Sequence, residues 1–198
     1  MTMKVKAAVV YENAEHPFTE TRPLKIEEVD LDPPGPGEVL VKVMAAGLCH
    51  SDLSAIEGVR PRKMPYVPGH EASGIVQEVG EGVTRVKPGD NAILFFVPNC
   101  GTCTSCDRGE PYLCDTAYEA RGDGSLITGE HKIRLNGEVI NHTSGVSCYA
   151  EYMVLAEGSV IPIEKDIPLE DAALFGCAVI TGVGAVVNTA AVPPGATV

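Results

Sequence analysis

The sequence has no tryptophan, few other aromatic residues and a shortage of basic side chains. Aromatic residues make up 5 % of the 198 positions, too few for platforms on which nucleic-acid bases stack. Lys and Arg number 15 against 27 Asp and Glu, which gives a formal net charge of −12. A chain this acidic repels polyanions, so we expect no nucleic acid among its partners.

An apolar segment of secretory-signal length is also missing from the start of the sequence. The longest uncharged run, residues 172–198, is broken by glycines and by a Pro-Pro pair. Its solidly apolar part is shorter than a bilayer requires. We therefore expect a buried helix and loop there rather than a membrane span, and we expect a cytoplasmic protein.

The seven cysteines are an odd number, which argues against a framework of disulfides. In a cytoplasmic protein, cysteines at this density are more often metal ligands or catalytic groups.

Residues 1–160 predict mostly strands and turns, and residues after Pro168 predict helices that extend to about Ala191. Residues 99–115 lack apolar periodicity and are predicted to be a loop, and residues 121–145 are polar and rich in glycine, which predicts a long loop-like excursion. The strand candidates are residues 6–11, 26–31, 38–46, 71–79 and 91–97, with one or two more within 149–163.

Four cysteines occur within fifteen residues in the pattern C-x2-C-x2-C-x7-C: Cys100, Cys103, Cys106 and Cys114. Four thiolates can close around one tetrahedral Zn(II), and a shell with no open position makes such a site structural. Two disulfides, idle thiols or an iron–sulfur cluster are the alternatives. The fourth cysteine lacks the following proline of the ferredoxin pattern.

Cys49, His70 and Cys177 lie far apart in the sequence, and their spacing alone does not reveal a site. Two thiolates and one imidazole nevertheless make three protein ligands, which is the number in a catalytic zinc site with one open position. Taken singly, each of these residues is as well explained as a buried cysteine or a hydrogen-bonded histidine.

The sequence from Gly69 to Val83 reads G-H-E-x2-G-x5-G-x2-V and resembles the zinc signature of the medium-chain alcohol dehydrogenases. The resemblance continues through Gly89-Asp90, the four-cysteine loop and Gly176-Cys177, so it covers effectively the whole chain. It implies a mainly β fold with some α, namely a GroES-like, partly open β-barrel with a zinc-binding loop. Residues 1–170 would form this catalytic domain, and residues 171–198 a helical connection toward a Rossmann domain.

The same resemblance implies two zinc ions per chain. The catalytic ion would be held by Cys49, His70 and Cys177, with Glu71 as an occasional or nearby ligand. The structural ion would be held by Cys100, Cys103, Cys106 and Cys114.

Further roles follow from the resemblance, residue by residue. Asp52 matches the acid that orients the zinc-bound histidine, and Ser51 matches the hydroxyl that hydrogen-bonds the alcohol and passes its proton on. His50 aligns with a residue on the cofactor pyrophosphate, Thr181 with one beside the nicotinamide, and Phe96 with a wall of the substrate pocket. Ser51 could equally cap the helix that follows it, His50 could be a surface histidine, and Phe96 would be core in any β-barrel.

Two positions limit these implications. Some family members have a histidine where this sequence has Ser54, so a proton relay here must run through water, cofactor hydroxyls or another group. Cys148 matches no motif and receives no role.

The function implied is oxidation of an alcohol to an aldehyde or ketone with NAD or NADP. A polyol dehydrogenase, a thiol-adduct formaldehyde dehydrogenase and a non-enzymatic zinc-stabilised module are the alternatives, and a thiol redox sensor is a more remote one. The 198 residues contain no G-x-G-x-x-G motif, so we expect them to bind zinc but to oxidise no alcohol unaided. We also expect a small-molecule alcohol or aldehyde as partner and, for a longer chain, a homodimer or homotetramer.

Overall fold

Two β-sheets organise the protein in the computed structural model, which describes residues 1–197. The strands are β1 (Met3–Val10), β2 (Leu24–Leu31), β3 (Glu38–Ala46), β4 (Tyr66–Val67), β5 (Ala72–Val79), β6 (Asn91–Leu94), β7 (Ile133–Leu135), β8 (Glu138–His142), β9 (Tyr152–Ala156) and β10 (Val160–Ile163). The α-helices are α1 (Phe18–Thr21), α2 (His50–Ile56), α3 (Thr104–Asp107), α4 (Asp115–Asp123), α5 (Leu169–Ala172) and α6 (Ile180–Gly184).

The first sheet is a ring in the order β1-β2-β7-β8-β4, and a single residue pair, Val10 with Tyr66, closes it between β1 and β4. The second sheet has the order β10-β6-β5-β3-β9. An isolated bridge between Ala7 and Ala150 joins the two sheets. The predicted mainly β fold with a barrel-like sheet is thus confirmed.

Alternation along the strands explains where the core lies. In β3, Val39 and Val41 are fully buried while Lys42 is exposed, because successive side chains of a strand point to opposite faces. Val39 and Val41 pack in one cluster with Val9 from the ring and Leu155 from β9. The larger of two hydrophobic clusters therefore lies between the two sheets.

The prediction of a loop over residues 121–145 is wrong, because this segment contains the β7–β8 hairpin. The hairpin supplies two of the five strands of the ring. Its turn is Asn136-Gly137, and both residues have positive φ, as a tight hairpin turn requires. The strands are so short that their apolar pattern was not recognisable, although the Asn-Gly pair was a usable signal.

Residues 99–115 contain no strand and follow the predicted irregular course, with α3 and a 3-10 turn (Pro111–Leu113) inserted. The helix α4 that follows was not predicted, since it is polar and buries only Ala117.

The C-terminal helical segment Leu169–Thr189 is 21 residues long and by length and composition alone could cross a membrane. It alternates α5 and α6 with π-helical turns at Phe175–Val179 and Ala185–Thr189. The expectation that it is buried is wrong, since only 22 % of its most apolar stretch is buried. The reason is that Ala172, Ala173 and Gly176 reach the sheet while the later turns extend away from it.

Candidate metal centres

Four thiols converge in the segment between β6 and α4. The Sγ atoms of Cys100, Cys103, Cys106 and Cys114 all lie within 4.8 Å of one another. The Cys103 and Cys114 sulfurs are 3.9 Å apart, whereas a disulfide bond is about 2.05 Å long. All seven cysteines are free among residues 1–197, so the structure does not support the disulfide alternative.

Backbone amides already point at these sulfurs. The Cys103 N–H donates to the Cys100 sulfur at 3.3 Å, and the Cys100 N–H donates to the Cys114 sulfur at the same distance. Hydrogen bonds from Thr116 and Thr102 lower the pKa of Cys100 to about 5. Loss of hydration and the neighbouring Cys103 raise the pKa of Cys106 to about 11.

This donor set fits zinc. Zn–S bonds of about 2.3 Å place the sulfurs of a tetrahedral site about 3.8 Å apart, close to the Cys103–Cys114 separation of 3.9 Å. Thiols this close cannot all ionise without a cation, as the opposite pKa shifts of Cys100 and Cys106 indicate. A divalent cation would stabilise all four thiolates together.

A second cluster joins residues that are up to 128 positions apart: ligand atoms of Cys49, His70, Glu71 and Cys177 lie within 4.8 Å of one another. Cys49 is the residue before α2, His70 and Glu71 immediately precede β5, and Cys177 lies in the π-helical turn Phe175–Val179. His70 and Glu71 are buried, while both cysteines are partly accessible. One imidazole, one carboxylate and two thiolates form a donor set that also fits zinc.

Two glycines allow these elements to approach. Gly69 has φ +93°, and a Cβ there would lie 2.6 Å from the Tyr149 ring and 2.8 Å from the Cys148 sulfur. A Cβ on Gly176 would lie 2.3 Å from the Leu94 carbonyl oxygen. Glycine at both positions therefore lets His70 and Cys177 reach the same point.

Asp52 holds His70 in place. The His70 Nδ1 lies 3.1 Å from Asp52 Oδ1, and both side chains are buried. The Gly69 N–H donates to the same carboxylate oxygen at 3.2 Å. If Nδ1–H donates to Asp52, Nε2 keeps its lone pair for a metal, which is the arrangement typical of zinc-binding histidines.

Tyr149 completes this network and was missed in the sequence. Its hydroxyl lies 3.0 Å from Asp52 Oδ2 and 3.1 Å from the Gly47 carbonyl oxygen. Burial and the Asp52 carboxylate raise the pKa of Tyr149 above its ordinary value, so its hydroxyl keeps the proton that it donates. No local pattern could have revealed a contact between residues 97 positions apart.

Nearby groups in the cluster oppose ionisation of the Cys177 thiol. Burial raises the pKa of Asp52, but hydrogen bonds from His70, Tyr149 and Gly69 outweigh this effect and leave it below the ordinary value. Burial, Glu71 and Cys49 raise the pKa of Cys177 to about 12. Without a cation, Cys177 therefore holds its proton against the neighbouring anions.

The cluster opens into a cleft of about 360 Å³. Ser51, Phe96 and Thr181 line this cleft together with the cluster. The Phe96 ring meets the His70 imidazole edge-on, with ring centroids 5.2 Å apart. Three residues that the sequence analysis did not single out, Arg60, Arg62 and Arg121, line it too.

His50 lies apart from the cleft. It is exposed and lines a neighbouring cavity of about 540 Å³ together with Leu48 and Leu53. Its Nδ1 lies 3.3 Å from the Ser54 hydroxyl. Cys49 lines both cavities, so the two spaces meet at the cluster.

Cys148 belongs to neither cluster. It is buried, and its thiol donates to the Glu71 carbonyl oxygen at 3.4 Å. Burial and the nearby Asp52 raise its pKa, so it remains a neutral thiol that packs behind Gly69.

Comparison with known proteins agrees with this geometry. S-(hydroxymethyl)glutathione dehydrogenase of Escherichia coli O1:K1 is 43 % identical over 194 residues, which are 98 % of this chain and 51 % of that protein. The alcohol dehydrogenase zinc-binding domain protein of Burkholderia ambifaria has a TM-score of 0.86 and 34 % identity, over 97 % of this chain and 50 % of that one. Benzyl alcohol dehydrogenase of Acinetobacter calcoaceticus has a TM-score of 0.80 and 32 % identity, over 94 % and 48 %.

The chain thus spans about half the length of the curated relatives it matches. A family model, the alcohol dehydrogenase GroES-like domain, matches residues 35–165, which include the four-cysteine loop and His70. The resemblance found in the sequence is confirmed, and the chain belongs to the alcohol dehydrogenase GroES-like domain family.

Proposed function

We propose that residues 1–170 are the catalytic domain of a zinc-dependent alcohol dehydrogenase, which interconverts an alcohol and an aldehyde or ketone with NAD or NADP. Residues 171–198 would lead toward the cofactor-binding domain. The observation that carries the proposal is the convergence of Cys49, His70 and Cys177 on one cleft. The match to the alcohol dehydrogenase GroES-like domain family supports this choice of reaction.

Two zinc ions per chain are part of the proposal. Cys100, Cys103, Cys106 and Cys114 would hold a structural ion, because four sulfurs leave no position for a substrate. Cys49, His70 and Cys177 would hold the second ion, with Glu71 beside it. Zinc at this second site would act as a Lewis acid on the oxygen of the bound alcohol.

The side chains near the cleft would then orient His70, take up the proton of the alcohol, and contact the substrate and the nicotinamide. Asp52 keeps the His70 imidazole oriented, and its own orientation depends on Tyr149 and Gly69. The Ser51 hydroxyl lines the cleft, where it would accept the proton of the alcohol in a hydrogen bond. Phe96 would form an apolar wall for the substrate, and Thr181 would lie beside the nicotinamide.

The proton would leave Ser51 by a route without a histidine at position 54. His50 contacts Ser54, but it lies in the neighbouring cavity and is exposed. There it would face the cofactor pyrophosphate, and water or cofactor hydroxyls would connect Ser51 with solvent.

A thiol-adduct formaldehyde dehydrogenase is a second candidate function. It is favoured by the 43 % identity to the Escherichia coli protein named S-(hydroxymethyl)glutathione dehydrogenase. Oxidation of the glutathione–formaldehyde adduct, compared with oxidation of simple primary alcohols, separates the two functions.

The test combines metal content with turnover. We expect about two zinc ions per chain for the unmodified protein and about one for His70→Gln, because the variant lacks an imidazole ligand. His131→Gln is the matched control, since His131 pairs with Asp123 on the surface and lies in neither cluster.

The complete gene product should then oxidise alcohols with NAD or NADP, and His70→Gln should abolish this turnover. One zinc ion in the unmodified protein, unchanged by zinc titration and accompanied by no turnover, would instead identify a zinc-stabilised binding module.

A further inference from the structure

Three of the seven arginines in this acidic chain, Arg60, Arg62 and Arg121, line the cleft beside the second cluster. The chain has a formal charge of −12, so such a local excess of positive charge runs against its composition. Positive charge focused in a cleft attracts anionic ligands.

No salt bridge neutralises the three guanidinium groups in the part of the chain that the structure describes. Within residues 1–197, none of them forms an ion pair. The Nε atoms of Arg62 and Arg121 are buried and have no hydrogen-bond partner. Buried donors without a partner are unfavourable, so these groups are available for a ligand.

Repulsion among the three guanidinium groups also favours the binding of an anion. Burial, Arg121 and Arg60 lower the pKa of Arg62, and coulombic contributions from Tyr66 and Asp52 oppose them only in part. An anion placed between the guanidinium groups would relieve this repulsion and would supply acceptors for their free N–H groups.

The arginines also lie where a substrate would react. A guanidinium nitrogen of Arg60 lies 3.5 Å from the Ser51 hydroxyl, the group proposed to take the proton of the alcohol. If zinc is bound, the two thiolates of Cys49 and Cys177 neutralise it, and Glu71 and Asp52 balance two of the three arginines. The cleft would therefore remain positive by about one charge, as counted from ordinary ionisation states.

The cofactor phosphates are a less suitable ligand for these residues. His50, the residue expected at the pyrophosphate, lines the neighbouring cavity with Arg22 and Leu48, and that cavity contains none of the three arginines. Thr181, expected at the nicotinamide, shares the arginine cleft. The reacting end of the cofactor and the substrate would thus meet there.

We propose that this protein acts on alcohols or aldehydes that carry an anionic group, a carboxylate or a phosphate, which Arg60, Arg62 and Arg121 bind. This inference rests on the proposed function, because it assumes that the cleft is the substrate site. Guanidinium groups recognise both anions by paired N–H donors, so the chemistry of recognition is the same.

Binding to the zinc-loaded chain tests the proposal by isothermal titration calorimetry. The probes are benzyl alcohol, 4-(hydroxymethyl)benzoate and 4-(hydroxymethyl)phenyl phosphate, which share a ring and a hydroxymethyl group and differ in charge. We expect at least one anion to bind about tenfold more tightly than benzyl alcohol, with an affinity that falls as salt rises. The anion that binds more tightly identifies whether the natural substrate carries a carboxylate or a phosphate.

Arg60→Gln is the first variant, because Arg60 is exposed and its replacement disturbs no buried contact. It should remove most of the preference for the anion, and Arg62→Gln and Arg121→Gln should do the same if they retain two zinc ions. Arg22→Gln changes the net charge equally but lies in the neighbouring cavity, so it should keep the preference.

Equal affinity for charged and neutral probes, or a preference that survives Arg60→Gln and both other variants, would overturn the proposal. An equal loss of ADP-ribose binding when the same variants are made in the complete gene product would also overturn it, since the arginines would then bind the cofactor. Oxidation of benzyl alcohol by the complete gene product with no preference for either anion refutes the substrate class alone. Anion binding without oxidation of any of the three alcohols refutes the proposed function.

Discussion

The Asp52 carboxylate lies 3.1 Å from Nδ1 of His70, and both side chains are almost inaccessible to solvent. The same carboxylate accepts hydrogen bonds from Tyr149 and from the Gly69 backbone. A residue that touches no substrate thereby fixes the direction in which the second nitrogen of His70 points.

Asp52→Asn should weaken zinc binding at the second cluster by about 10- to 100-fold, the usual cost of removing the partner of a metal-binding histidine. The amide keeps the shape of the carboxylate but loses its charge. Competition with a chelator measures this affinity. Asp123→Asn is the control, because Asp123 pairs with His131 on the surface. Equal affinity in both variants would contradict a positioning role for Asp52.

Cys106→Ser should reduce the zinc content from about two ions to about one, because the structural ion loses one of four sulfurs. The segment from Cys100 to Cys114 has little apolar packing, so it should become sensitive to proteolysis once its metal is lost. Cys148→Ala also removes a thiol but belongs to neither set of ligand atoms, and it should retain both ions. An intact, protease-resistant segment in Cys106→Ser that has lost its structural zinc ion would show that the metal does not hold it.

Self-association is expected from the exposed apolar face of the C-terminal helical segment. Ile180, Val183 and Val187 lie on one side of it and are 45 %, 55 % and 58 % exposed. Contiguous apolar surface of this kind favours association. Light scattering of the 198-residue chain should show a mass that rises with concentration, and Val183→Lys should reduce it. Ile26→Lys, at an exposed position on β2, should have no such effect. A strictly monomeric chain at high concentration would refute the expectation.

Local sequence patterns were sufficient to predict a strand or a metal site where the residues concerned lie close together in the sequence. The strand Glu38–Ala46 alternates, and its bounds were predicted correctly. The four-cysteine loop is local in sequence, so its spacing alone indicated a metal. The hairpin of β7 and β8 was not predicted from local patterns, because its strands are only three and five residues long.

The second cluster depends on long-range packing, which periodicity does not encode. The prediction that Cys49, His70 and Cys177 form one zinc site depended on the resemblance to a known family. Tyr149 and the three arginines had no such guide, because a tyrosine beside a strand and arginines in a loop or a polar helix are ordinary residues. The arginines meet only in the fold, which brings α4 and the loop before β4 to one cleft.

A buried histidine outside both clusters makes stability depend on pH. His142 is 3 % exposed, and its Nε2 accepts the Lys132 backbone N–H at 3.1 Å. Burial first, then the neighbouring charges of His131 and Lys132, lower its pKa from 6.5 to about 3. Because its pKa is depressed in the folded state, the unfolded chain binds the extra proton as pH falls below 6.5.

His142 should therefore cost the folded state about 1.4 kcal/mol on going from pH 8 to pH 5.5, as follows from an unfolded pKa of about 6.5. Urea unfolding of zinc-depleted protein at both pH values measures this loss. In His142→Gln the amide oxygen can still accept the Lys132 N–H but does not titrate, so the loss between the two pH values should be smaller by that amount. Zinc depletion of both proteins removes the competing effect of metal release in acid. If both lose the same free energy, His142 is protonated in the folded state, and its burial does not exclude the charge.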